Sequence, residues 1–436
     1  MSYRGLFNKF KNDLITVYQF SQAARYVQNI LLSIALVKST ISLGQIGQFE
    51  ILVFMAAVLS QFWISGIKDI VVTSWNQGYK DDRSEMLHHG FRSLFLFGLF
   101  FSVFLVLFYP VFIQTGSSDI VTGLIPYVCI YFFLNTFSSF PETVLLLREK
   151  TNKLFYYTIL TSLLFILFLF LFFIKFTNIQ FVFEILIGIS LIKTIYLLRL
   201  ISPWHSVSLI KTLSFIKVGI PFFLIAFIGY GMDFIDGFLV VHYFDSEKFP
   251  VFKYGARELP FSSLLMNALS VALIPKMVDI EQLGLLKSKA DRHMHFLFPL
   301  TILLIWISPT VFVWVYNKTF EESALIFNVY LLILGSRILL PHSILMAYGK
   351  QNKILWSGVG ELLVNIVFSL WWYNYWGIYG LVFATVFAYY IQKVLMLYWL
   401  KKECNITIGQ LITVRWWILY QVLAFLSVYL VFLWKV

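Results

Sequence analysis

The chain has 436 residues, 60% of them hydrophobic and only 13% charged, with a mean hydropathy of +0.82. A water-soluble domain sits near half apolar and a quarter charged, so this composition excludes a soluble globular protein and calls for a lipid solvent. The net charge of +11 and the pI near 9.4 read as cationic loops on the inner side of a membrane, with no nucleic-acid partner.

An apolar run needs about 20 residues to cross about 30 Å of hydrocarbon. In chain order such runs fall near 14–37, 46–67, 93–113, 120–147, 154–174, 181–200, 213–243, 251–278, 294–316, 323–347, 354–374, 377–400 and 414–434. The fold class expected is therefore an all-α polytopic membrane protein of about 12–13 transmembrane helices. The first run is too long for a signal-peptide core and lacks a small-residue cleavage site, so it is expected to remain in the mature protein. Residues 1–212 and 213–402 each hold six hairpin-linked spans, and 403–436 adds one further helix. The connections are short, with no room for a soluble domain.

Lysine and arginine placement sets the orientation. Arg4, Lys9, Lys11, Lys68, Lys80, Arg83, Arg92, Arg148, Lys150, Lys153, Arg199, Lys211, Lys217, Lys276, Lys287, Lys289, Arg292, Lys350, Lys353, Lys401, Lys402 and Arg415 fall on one side of the alternating loops. Few cations fall on the other side, among them Lys38, Lys175, Lys248 and Lys318. The positive-inside rule puts the N-terminus in the cytoplasm.

A charge inside the bilayer costs a few kcal/mol, so each one needs a partner, a wet surrounding or a function. The intramembrane cations are Arg25, Lys193, Arg257, Arg337 and Lys393, and the acids at comparable depth are Glu142, Asp233, Asp236, Glu258 and Glu361. Deep arginines suit a diphosphate, because a guanidinium stays charged and offers a planar fork of donors to phosphate oxygens. Arg25, Arg257, Arg337, Lys193 and Lys393 are thus the substrate-binding candidates. For the two lysines, snorkelling to the interface competes equally with that role.

Asp233 and Asp236 are three residues apart, on one helical face. Counting back from a turn over 244–250 puts Asp236 and Arg257 at one depth, facing a shared interior. Two acids opposite one arginine leave a surplus carboxylate, suited to a proton- or sodium-coupled switch; a structural ion pair locking the hairpin is the plainer alternative. Asp233, Asp236, Glu142 and Glu361 are the ion-coupling candidates. Helix breakers accompany them at Pro141, Gly219, Pro221, Pro260 and Pro275.

Walker A, HExxH, GxSxG and Rossmann glycine patterns are absent from the sequence, so no cofactor, no metal and no enzymatic role are expected. Cys129 and Cys404 have no metal-ligand spacing. Asp81-Asp82-Arg83 and His88-His89 read as a solvated loop.

Four stretches carry a family resemblance. Tyr254-Gly255-Ala256-Arg257 followed by Ala268 through Lys276 is similar to the span-eight signature of polysaccharide (O-antigen, Wzx-type) flippases in the multidrug/oligosaccharidyl-lipid/polysaccharide (MOP) exporter superfamily. Asn365-Ile366 followed by Trp376 through Thr385 resembles that family's hairpin between spans eleven and twelve. Gly44 through Phe49 resembles the entry to span two, and Ala347 through Lys350 the end of span ten. The resemblance covers about residues 10 to 402. It departs from the family at Glu258, where an apolar residue is common, and in the thirteenth span.

The resemblance implies two six-helix bundles around a central cavity with alternating access. It implies a lipid-linked oligosaccharide diphosphate as cargo, carried on undecaprenol, and H+ or Na+ as coupling ion. It further implies the bacterial inner membrane, membrane lipids as surroundings, a polysaccharide polymerase as possible neighbour, and a place in O-antigen or lipopolysaccharide synthesis. Arg257 falls on the family's basic position in span eight, and Arg25 on the cationic lining of span one. A multidrug exporter of the same superfamily is the alternative, though it would want acids in surplus. A polysaccharide polymerase or glycosyltransferase would need a large outside loop, which this sequence lacks.

Overall fold

Within hydrocarbon every backbone N–H and C=O must find its partner inside its own segment, which leaves helices as the solution for apolar runs of this length. The computed structural model describes residues 13–77, 83–112, 118–175, 178–202, 208–257 and 280–435, and these are helical almost throughout with no strand among them. Ten described helices are long and apolar enough to cross a membrane, eleven if one bent pair counts as a single span. The chain has the fold of a multi-pass membrane protein. Twelve of the thirteen expected runs coincide with described helical segments, and the remaining one, 251–278, lies mostly outside the described residues.

The first compact unit comprises residues 1–230 and 245–247. Its helices are α1 (Leu14–Lys38), α2 (Leu43–Gln77), α3 (Arg83–Phe112), α4 (Ser118–Asn135), α5 (Phe140–Leu147), α6 (Thr151–Lys175), α7 (Ile179–Ile201), α8 (Leu209–Val218) and the first part of α9 (Ile220–Tyr243). Between α4 and α5 the hydrogen bonds tighten to i→i+3, and Pro141 restarts the helix in its first turn, where a missing N–H is harmless. A stack of Trp63, Phe97 and Phe101 joins α2 to α3.

The first unit extends to Tyr230, past the boundary expected at residue 212. Phe223 packs edge-on to Phe97 and Phe227 edge-on to Phe62. A Cβ on Gly66 would lie 2.1 Å from the Phe223 ring, so a bare glycine is what admits it. Between α8 and α9 the chain bends by 52° at Gly219, just before Pro221. His88 and His89 are not in a loop. Both are buried in the first turns of α3, His88 against the Ser84 carbonyl at 2.7 Å and His89 against the Thr212 hydroxyl at 2.9 Å.

The second unit comprises residues 231–244 and 248–436. It holds the end of α9, then α10 (Lys248–Gly255), α11 (Ile280–Val315), α12 (Glu321–Leu331), α13 (Leu334–Arg337), α14 (Pro341–Ala347), α15 (Gln351–Trp376), α16 (Ile378–Cys404), the short α17 (Ile408–Leu411) and α18 (Val414–Lys435). Leu340 is left-handed (φ 49°) immediately before Pro341, which starts α14, so α12 to α14 form one broken, almost wholly buried span. Helix α18 braces the break: Trp417 Nε1 donates to the Gly335 carbonyl at 3.0 Å, and Gln421 meets Tyr390 at 2.6 Å. Gly377 (φ 55°) turns α15 into α16.

Candidate functional site

On α1, Tyr18, Gln22 and Arg25 are spaced four and three apart, which puts them on one face of the helix. Helix α1 packs along α6, where Gln28 donates to the Ser162 hydroxyl at 2.9 Å. An apolar base of Val17, Leu145, Leu154 and Phe155 fixes α1, α5 and α6 together. On that base the Arg25 guanidinium meets the Glu142 carboxylate of α5, with Nη2 and Oε2 2.9 Å apart. The two ends differ in exposure: the Arg25 side chain is 32% exposed and that of Glu142 4%.

Two further cations share this environment. Lys193 of α7 is buried within the electrostatic reach of Glu142 and Arg25. Lys68 of α2, which the loop count had placed at the cytoplasmic surface, lies within the chain of charges formed by Arg25, Glu142 and Asp69. Neither ammonium has a hydrogen bond or ion pair among the described residues. Tyr157, stacked on Tyr196 at 5.0 Å, and Tyr18 border the same charges. The buried hydroxyl of Tyr157 and the Nε2 of Gln22 have no partner among the described residues. The result is a polar cluster in an apolar bundle, with three cations against Glu142 and Asp69.

In the second unit the carboxylate of Asp236 is buried and saturated by neutral donors. Tyr330 Oη donates to Oδ2 at 2.8 Å, Thr385 Oγ1 donates to the same oxygen, and Asn365 Nδ2 faces Oδ1 at 3.4 Å. Ser369 in turn donates to Asn365 Oδ1 at 2.9 Å. These groups come from α9, α12, α15 and α16. Arg257 is not among them: its guanidinium lies over the Tyr254 ring at 5.3 Å, so the expected Asp236–Arg257 pair is not formed. The reason is that α10 ends at Gly255, where a Cβ would collide with the Ser323 carbonyl at 2.4 Å, and α10 packs against α12 instead.

Arg337, the last residue of α13, stacks on Tyr389 at 5.0 Å, and its Nη2 lies 3.4 Å from the Tyr389 hydroxyl. Lys393 is buried on α16 and donates to Gln392 at 2.9 Å, with His342 in electrostatic range of both Lys393 and Arg337. Glu361 is buried on α15. Asp233 contributes helical backbone to α9, while its side chain and Glu258, Pro260 and Pro275 lie outside the described residues. Among the described residues no group of three His, Cys, Asp or Glu could hold a metal ion.

No protein-family model and no curated protein sequence matches the chain. Solved structures do. The lipid II flippase MurJ in its inward closed conformation superposes with a TM-score of 0.70 at 16% identity, covering 96% of this chain and 93% of that one. This is the fold of the MOP transporters. A MOP superfamily transporter from Pyrococcus furiosus, described by the reverse polarity of its binding pocket, matches with a TM-score of 0.60 at 13% identity over 89% of this chain and 94% of that one. A multidrug resistance MATE family transporter in its outward-facing conformation gives 0.58 at 13% identity over 91% and 96%. The MOP fold accounts for the membrane-spanning helices.

Proposed function

We propose that this chain is a flippase that moves undecaprenyl-diphosphate-linked oligosaccharide from the cytoplasmic to the outer leaflet of a bacterial inner membrane, with its N-terminus in the cytoplasm. The observation that carries the reading is the cluster of Arg25, Lys68 and Lys193, cations held together in the bundle of the first unit with fewer acids than themselves. Cations left in surplus in a low-dielectric setting attract an anion, and a guanidinium binds phosphate oxygens two at a time. A cargo with a diphosphate head supplies such charge. The likeness to MurJ, whose name records a lipid-linked cargo, supports the same class of substrate here. Arg257, Arg337 and Lys393 are further cargo-binding candidates on the second unit.

Transport against a gradient needs a coupling ion, and Asp236 is its proposed seat. One buried carboxylate, ringed by the hydroxyl groups of Tyr330 and Thr385 and the amide nitrogen of Asn365, matches one positive charge, a proton or Na+. Glu361 and Asp233 are secondary candidates for that role.

The test uses proteoliposomes loaded with a fluorescent undecaprenyl-diphosphate oligosaccharide, with outer-leaflet exposure read by a membrane-impermeant quencher. The wild type is expected to equilibrate the lipid between leaflets, and Arg25→Ala to lose that activity. The MATE likeness keeps a multidrug exporter as the competing reading. Efflux of cationic dyes without any movement of the lipid-linked sugar would replace the first reading with the second.

A further inference from the structure

Glu142 stands out within the cationic cluster. Its Oε2 lies 2.9 Å from Arg25 Nη2 but receives no hydrogen bond among the described residues. Arg25 Nη2 instead donates to Gln22 Oε1 at 2.5 Å. A guanidinium has five N–H groups, and among the described residues that one bond to Gln22 is the only hydrogen bond it makes. The pair therefore lacks the two parallel bonds that make an arginine–carboxylate contact strong and directional. It is held by charge alone, in a setting where Arg25 is a third exposed and Glu142 almost fully enclosed.

A structural ion pair is built the other way, with aligned hydrogen bonds repaying the desolvation of both ions. Glu142 also lies within reach of Lys193 and Lys68, so the one deeply buried carboxylate of this cluster is shared by three cations. Such a carboxylate imitates one charge of a phosphate and occupies a place that a phosphate would take.

From this geometry we infer that Glu142 is a resident counter-anion: it neutralises the Arg25 cluster in the empty carrier and competes with the diphosphate of the cargo for it. This rests on the proposed function and deepens it. Glu142 had been a candidate for ion coupling; its surroundings give it a different task, that of setting how tightly cargo is held. Without a competitor the three cations would bind a diphosphate too firmly to release it on the far side. With Glu142 available to return to Arg25, the outgoing diphosphate exchanges one set of charges for another, and the bare guanidinium is never left alone in the bilayer.

The experiment measures binding of citronellyl-diphosphate N-acetylglucosamine, a short-chain diester probe, to purified full-length protein in detergent at fixed ionic strength. Glu142→Gln is expected to tighten binding by about tenfold and to slow flipping in proteoliposomes. Glu142→Asp keeps the charge but withdraws it by one methylene, and is expected to tighten binding by a smaller factor. In an Arg25→Ala background the gain from Glu142→Gln should shrink, since Glu142 then competes with the diphosphate for Lys68 and Lys193 alone. Unchanged or weaker binding in both Glu142 variants would overturn the inference while leaving the flippase reading intact. Wild-type protein that binds no probe at all would instead sink the flippase reading itself.

Discussion

Arg25 and Glu142 pose a question of charge balance that a double variant answers. Removing the guanidinium alone leaves a buried carboxylate facing a reduced cationic surround, which costs stability. Arg25→Ala is therefore expected to lower both melting temperature and transport. Arg25→Ala combined with Glu142→Gln removes both charges, and is expected to recover most of the melting temperature but none of the flipping. Recovery of transport in the double variant would show that the pair serves the fold only. Arg25→Lys keeps the charge without the fork of donors and should fall between, about tenfold below wild type in lipid movement.

At the same scale Asp236 is held by Tyr330, Thr385 and Asn365 with no cation among its partners. Asp236→Asn is nearly isosteric and neutral. It is expected to leave the protein folded and able to equilibrate cargo passively, while abolishing the acceleration produced by an imposed Na+ or proton gradient. A variant still driven by either gradient would place coupling elsewhere.

Among the elements, the hairpin of α15 and α16 depends on Gly380. A Cβ there would lie 2.3 Å from the Trp372 carbonyl, a backbone atom that cannot swing aside. Gly380→Ala is expected to cost about 1–3 kcal/mol through overpacking, read as a lower melting temperature in detergent. The broken span of α12, α13 and α14 leaves carbonyls that a continuous helix would have paired. Helix α18 and α16 meet them: Trp417 donates to Gly335, and Tyr390 lies 2.8 Å from the Leu332 carbonyl. Trp417→Phe preserves the ring and deletes the donor, and about 1–3 kcal/mol of stability is expected to go with it. These contacts explain why the thirteenth helix belongs with the second unit.

For the whole molecule, short alternating loops and their cations give a topology that labelling can check. A single cysteine at residue 246, in a Cys129→Ala and Cys404→Ala background, is expected to react with an impermeant maleimide added outside intact cells. A cysteine at 350 is expected to react only after permeabilisation. The opposite pattern would invert the proposed orientation, and with it the direction of cargo movement.

Composition and run length by themselves determined that this is a multi-pass helical membrane protein. A bilayer admits few solutions for a chain of this hydropathy, and each span announces itself locally. The sequence also marked Arg25, Glu142 and Lys193, because a charge in an apolar run is visible without knowing its neighbours. The letters Asn365 and Thr385 were legible as part of a familiar hairpin, and the face of Tyr18, Gln22 and Arg25 could have been read from its four-and-three spacing. Which groups meet was decided only by the tertiary structure. Lys68 read as a loop cation because it lies near the end of an apolar run, yet α2 is 35 residues long and carries it into the Arg25 cluster. Asp236 found Tyr330, Thr385 and Asn365 instead of Arg257, because a depth count along two helices says nothing about the rotation of either helix or about which third helix packs between them.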